Sequence, residues 1–150
     1  MNYKKYFVTY YNYKQAKIKL QNIQNEIADI ISAMLSTTSQ MREVVNSNKS
    51  SNDKMMELTT RKIELDSKEE LAKELLGVYN RQMLDAEKEL KDSKETKDII
   101  YYKYFIQHIK VKEISKDIAF AREYTYDLLK RIKSDIAKLE QELIKKNKKK

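Results

Sequence analysis

A chain of 150 residues with a single glycine, Gly77, and no proline has little with which to turn sharply. Glycine supplies the positive φ that tight hairpins need, and proline presets the first corner of a turn. Ordinary domains take roughly 12% of their residues from these two types. β-Hairpins and Greek keys therefore lack their corner residues here. What remains is rich in Lys, Glu, Leu, Ile, Ala, Gln and Asp, mostly good helix formers. The expected fold class is all-α.

The apolar residues repeat at helical spacing. Tyr6, Tyr13, Leu20, Ile27, Met34 and Met41 fall every seventh residue, and Ala16, Ile23, Ile30 and Val44 fill the second apolar position of the same heptads. An alternation of three and four is the seam of a coiled coil. The polar run 36–39 weakens it. Residues 46–52 are small or polar throughout and predict a linker, after which Asn52 or Asp53 can cap a second helix by accepting from first-turn amides. That helix carries Leu58, Leu65, Ala72, Leu76, Tyr79, Met83, Ala86 and Leu90. Residues 1–91 thus read as a long antiparallel helical hairpin, coiled-coil-like, with arms of roughly 60 Å at 1.5 Å per residue.

A second break falls at 92–96, and beyond it the long heptads stop. Ile99, Ile100, Tyr101, Tyr102, Tyr104, Phe105 and Ile106 form a dense cluster. Ile109, Val111, Ile114 and Ile118 mark a short helix, and Tyr124, Leu128, Ile132, Ile136, Leu139 and Leu143 mark a final one. Residues 96–145 are expected to form a compact three-helix unit, and 146–150 a basic tail that does not fold alone.

Within this unit, Ile114 and Ile118 stand four apart, Ala119 is a small residue at a turn, and Leu128 and Ile132 anchor the next helix. That is the spacing of a helix-turn-helix, whose second helix enters a major groove while the first crosses the backbone. Residues 99–132, about a quarter of the chain, resemble the helix-turn-helix of sigma-factor region four. The pattern is closest to the small sigma-like regulators of phages and prophages in Gram-positive bacteria. The residues that carry the resemblance are Tyr102–Lys103–Tyr104, Glu113–Ile114–Ser115, Ala119–Phe120–Ala121, and Tyr124 through Lys130 and Arg131. Four positions depart from that pattern. Ala119 stands where Gly is usual, and Ala121 stands where Ser would cap the recognition helix. Glu123 replaces a position that is often basic, with a second acid, Asp127, nearby.

The resemblance implies a transcriptional regulator that binds double-stranded DNA. Arg122, Glu123, Tyr126 and Lys130, on the face opposite Leu128 and Ile132, are the candidates for base edges. Lys103, Lys110, Lys112, Lys116, Arg131 and Lys133 are the candidates for phosphates, which set affinity and register without reading sequence. An ordinary solvated lysine is the alternative for each. The hairpin would then supply dimerisation or contact with RNA polymerase. The departures motivate a reading of another class: a phage or mobile-element protein that binds and inhibits a host defence or nucleic-acid-processing complex through a degenerate helix-turn-helix.

Charge supports a polyanion partner as well as plain solubility. The formal charge is +8, and the excess lies at the ends: residues 1–20 hold five lysines and no acid, while 92–150 hold sixteen basic and ten acidic residues. Five tyrosines, Tyr3, Tyr6, Tyr10, Tyr11 and Tyr13, sit among the N-terminal lysines. They suit base stacking, and they suit packing better. With no cysteine and one histidine, His108, neither a disulfide nor a multi-histidine metal site can be assembled, and no metal, cofactor or enzymatic activity is expected. Lysines interrupt the first twenty residues where a secretory signal would be apolar, and no run approaches the ~18 apolar residues of a membrane span. The expected location is the cytoplasm, with no membrane partner.

Overall fold

The computed structural model describes residues 1–43 and 49–148, and among them every regular element is helical. In chain order these are α1 (Asn2–Glu43), α2 (Lys49–Asp92), α3 (Thr96–Tyr101), which widens into a π-helical turn over Tyr102–Ile106, α4 (Val111–Ile118) and α5 (Arg122–Lys148). The fold is all-α, and α1 and α2 pack closely as a hairpin. No described helix is long and apolar enough to cross a membrane.

The chain divides into two compact units, and the division does not follow the boundary expected from the sequence. One unit is Lys14–Val78, the other Met1–Tyr13 together with Tyr79–Lys150. In the first, the expected heptad seam is formed: Ile23, Ile30, Leu65 and Ala72 are buried, with Leu20, Ile27, Met34 and Leu58 packed against them. The polar run 36–39 does not break α1. Thr37 and Thr38 turn their hydroxyls back onto the carbonyls of Ala33 and Met34, both at 2.9 Å, and so satisfy them inside the helix. The expected linker is shorter than 46–52. Helix α2 already runs from Lys49, so Asn52 and Asp53 are interior residues and cap nothing. Nothing in 49–52 is a Pro or Gly, and the long helix behind them offsets the cost of extending it. The side chains of Met41 and Val44, and residues 46–48 of that linker, lie outside the described residues.

In the second unit, the ends of the hairpin supply four of the eleven buried residues of a core shared with the C-terminal segment. Tyr3 and Tyr6 of α1 and Ala86 and Leu90 of α2 are buried with Ile100, Tyr101, Val111, Ile114, Leu128, Leu129 and Ile132. The N-terminal tyrosines thus take the packing role: Tyr101 stacks on Tyr3 and meets Tyr6 edge-on, at 5.7 and 5.9 Å between centroids. The break at 92–96 is real but short, since α2 ends at Asp92 and α3 begins at Thr96. The expected final stripe holds at Leu128, Ile132 and Ile136 and differs at its first position. Tyr124 is exposed, and Thr125 takes the buried position with its hydroxyl on the carbonyl of Ala121 at 3.1 Å. The expected tail is also shorter: α5 continues to Lys148, and Asn147 donates to the Tyr11 hydroxyl at 3.2 Å. Residues 149–150 lie outside the described residues.

Both connections around α4 close on left-handed residues that are not glycine, His108 at φ 58° and Ala119 at φ 57°. At Ala119 the Phe120 amide donates to the Ser115 carbonyl (3.1 Å) and the Ala119 amide to that of Lys116 (3.3 Å). This is the double bond of a Schellman cap, which glycine normally serves because a Cβ costs about 1 kcal/mol there. At His108 the amides of Gln107 and Ile109 reach back over the π-helical turn to Tyr102 and Lys103, at 3.0 and 2.9 Å.

Ala119→Gly should therefore raise stability by about 1 kcal/mol by removing that strain, measured as a higher urea midpoint; an unchanged or lower midpoint would show the turn to be relaxed. A second effect belongs to alkali. Burial is the main cause that raises the ionisation of Tyr3, Tyr6 and Tyr101, Tyr6 being pushed up to about 12. Below about pH 10, where a free tyrosine ionises, folded and unfolded chains hold these protons equally. Above it the unfolded chain releases them first, so stability should fall between pH 10 and 12. Tyrosinate absorbance and helical circular dichroism should therefore show a late group of tyrosines ionising together with loss of helix. Ionisation of all eleven near pH 10 in an intact fold would contradict this.

Candidate nucleic-acid interface

The strained cap at Ala119 fixes how α4 hands over to α5. Only Ala119, Phe120 and Ala121 separate the two helices, and Val111 and Ile114 of α4 join Leu128, Leu129 and Ile132 of α5 in the same core. Packing so close leaves α5 one covered face and one open face. On the open side Arg122, Tyr126 and Lys130 follow each other four residues apart, so they lie along one stripe, and Lys133 extends it by another turn.

This stripe forms one wall of a groove of about 720 Å³. The opposite wall comes from Lys110 and Lys112 at the start of α4 and from Tyr104 on the π-helical turn; Val111 and Leu129 lie at its base. Five cations and one carboxylate, Asp127, border it. The Lys133 ammonium lies over the Tyr104 ring, 5.1 Å from its centroid, a cation–π contact. Among the described residues, Lys110, Lys112, Arg122 and Lys130 make no ion pair.

Of the ten residues expected at a DNA interface, the groove brings together Arg122, Tyr126, Lys130, Lys110, Lys112 and Lys133. The other four lie elsewhere. Lys103 places its ammonium 3.2 Å from Asp117, tying the π-helical turn to α4. Lys116 and Glu123 are exposed but do not line the groove, and Arg131 borders a smaller hollow of about 280 Å³ with Asp127, Lys130 and Ser134. Tyr104 is a wall that sequence reasoning missed, because a tyrosine in the dense 99–106 cluster reads as core. The pair Phe120 and Tyr124 was missed as well; they meet edge-on at 5.3 Å and are 40% and 49% exposed. Their four-residue spacing was visible, but periodicity alone does not separate an exposed pair from a buried one. His108 is exposed beside the groove.

An electropositive groove bordered by a half-exposed aromatic stripe can attract a polyanion, hold phosphates at its rim and offer ring faces to bases or other flat groups. No family model, no curated protein and no solved structure matches this chain.

Proposed function

We propose that this chain is a DNA-binding transcriptional regulator of the phage or prophage type, akin to sigma region four, that engages duplex DNA through α4 and α5. What carries the reading is the convergence of five cations on one groove beside the open stripe of α5, four of them without an ion-pair partner among the described residues. Lys110 and Lys112 hold phosphates from the start of α4, while Arg122, Tyr126 and Lys130 face the bases from α5. Lys110 and Lys112 are cations whose charge is worth most where counterions are displaced from a phosphate backbone. RNA polymerase and a second copy of the chain are the further partners of this reading, and the hairpin is the element that would meet them.

A second reading rests on a separate observation. Glu123 and Asp127 stand on the outward face of α5, and Phe120, Tyr124 and Tyr126 are all exposed around them. Aromatic rings with mixed charge are the composition of a protein-binding hot spot. They would suit a mobile-element protein that occupies and inhibits a host nucleic-acid-handling complex.

Fluorescence-anisotropy titration with random duplex DNA at two salt concentrations separates these readings. The regulator should bind at low salt and weaken steeply with added salt. Lys110→Ala with Lys112→Ala should lower affinity and reduce the salt slope by about 1 for each phosphate no longer neutralised. Lys103→Ala, whose ammonium is already held by Asp117, should change the slope little. Absence of duplex binding at low salt would end the regulator reading and leave the inhibitor, to be pursued by recovery of a stable host partner.

A further inference from the structure

We infer that the groove between α4 and α5 receives an unpaired nucleotide of a nucleic-acid strand, its base on Tyr126 and its phosphates on Lys110 and Lys112. This rests on the reading of the chain as a DNA-binding protein and specifies what that face selects.

Tyr126 is 49% exposed although it lines a groove, and no other ring among the described residues packs on it. The other tyrosine of the groove, Tyr104, is already covered by the Lys133 ammonium on its face and by Phe105 at 5.0 Å. Tyr126 is therefore the ring left open to a ligand, between Arg122 one turn before it and Lys130 one turn after it. A flat apolar face surrounded by cations fits a group that is itself flat, apolar on its faces and tied to an anion. A nucleotide has that chemistry.

The groove also limits the state of the nucleotide. Its 720 Å³ lies within the roughly 300–1,000 Å³ of sites for small organic molecules. A base inside an intact duplex has both faces covered by its neighbours and offers only its edge. Tyr126 can stack on a base only after that base has left the helix, at an opened, kinked or single-stranded position. The single carboxylate of the rim, against five cations, favours an anionic ligand, and the open ring favours a nucleotide over an acidic peptide, which would bring charge but no obligatory flat group.

The test uses the full chain and three labelled probes of equal length: a paired duplex, the same duplex with a central bubble of unpaired thymines, and the single strand. The bubble should bind about ten-fold more tightly than the paired duplex, the worth of one base on one ring. Tyr126→Leu should bring that ratio close to one, and Tyr126→Phe, which keeps the ring, should preserve it. Tyr124→Leu, which changes an exposed ring outside the groove, should preserve it too. Both positions are exposed, so the variants should fold, as helical circular dichroism would verify. Equal affinity of the normal chain for bubble and duplex would overturn the inference while leaving DNA binding in place. A preference that survives Tyr126→Leu, or disappears in Tyr124→Leu, would likewise overturn it. Displacement of the bubble by thymidine monophosphate at matched nucleotide concentration would make the ligand a free nucleotide, and so overturn the assignment to a strand. Equal displacement of bubble and duplex by polyglutamate would reduce the groove to a general attractor of anions, and overturn the inference as well. Failure of all three probes to bind at low salt would remove the regulator reading itself, and the inference with it.

Discussion

Asp98 is fully buried, and a carboxylate taken out of water persists only where donors meet it. Two do. The backbone amide of Tyr3 donates to one of its oxygens at 3.0 Å, and the Ser93 hydroxyl donates to the other at 2.7 Å. The Tyr3 amide belongs to the first turn of α1, where no helical carbonyl is available to it, so Asp98 satisfies an otherwise orphaned donor. The same Tyr3 sends its hydroxyl to Asp135 of α5 at 2.8 Å, with Lys4 4.0 Å from that carboxylate. A few atoms thus join the start of α1, the α2–α3 connection and the middle of α5, residues up to 132 positions apart in the chain. Removing any partner would leave a buried polar group unpaired, which costs more than the bond itself contributes.

The position of the open face of α5 depends on this join. Ile132 is wholly buried and Asp135 is held by Tyr3, so the helix cannot roll about its axis without breaking both. The face of α5 that carries Arg122, Tyr126, Lys130 and Lys133 therefore keeps a fixed direction toward the groove. A helix that presents side chains to a ligand needs that rigidity, because a side chain displaced by about an ångström no longer meets its target in bonding geometry. The strain at Ala119 belongs to the same arrangement. A left-handed alanine persists where the surrounding core over-determines the turn, and here the core on either side of it does so.

Much of the fold was legible in the sequence for simple reasons. One glycine and no proline exclude most β architectures, and the heptads of Leu20, Ile27, Leu58 and Leu65 specify a hairpin seam that the structure contains. Ala119 could be identified as the turn because Ile114 and Leu128 bracket it at the spacing of two packed helices. The division into units was not legible. Heptad periodicity continues unchanged through Tyr6 and Ala86, and nothing local shows that these residues change partners from the hairpin seam to the C-terminal core. Asp98 was invisible for a related reason: on a charged helix an aspartate reads as solvated, and its donors come from 95 and 5 residues away. In the groove, i to i+4 spacing revealed Arg122, Tyr126 and Lys130 together, but Tyr104 joins them only through the π-helical turn, which no residue pattern announced.

The acids on α5 also bear on how this face would discriminate. Glu123 and Asp127 are four residues apart, so they form a stripe beside that of Arg122, Tyr126 and Lys130. A uniformly basic helix gathers any polyanion; alternating stripes weaken that general attraction, because phosphates placed over the acids are repelled. A nucleic-acid ligand that suits this face would keep its phosphates to the groove rim and turn its bases to the carboxylates. A carboxylate there accepts a hydrogen bond from the amino group of cytosine but repels the ring acceptors of guanine. On the DNA-binding reading, the acids that lower overall affinity would make orientation and base identity matter more, on a helix whose rotation Tyr3 and Ile132 have already fixed.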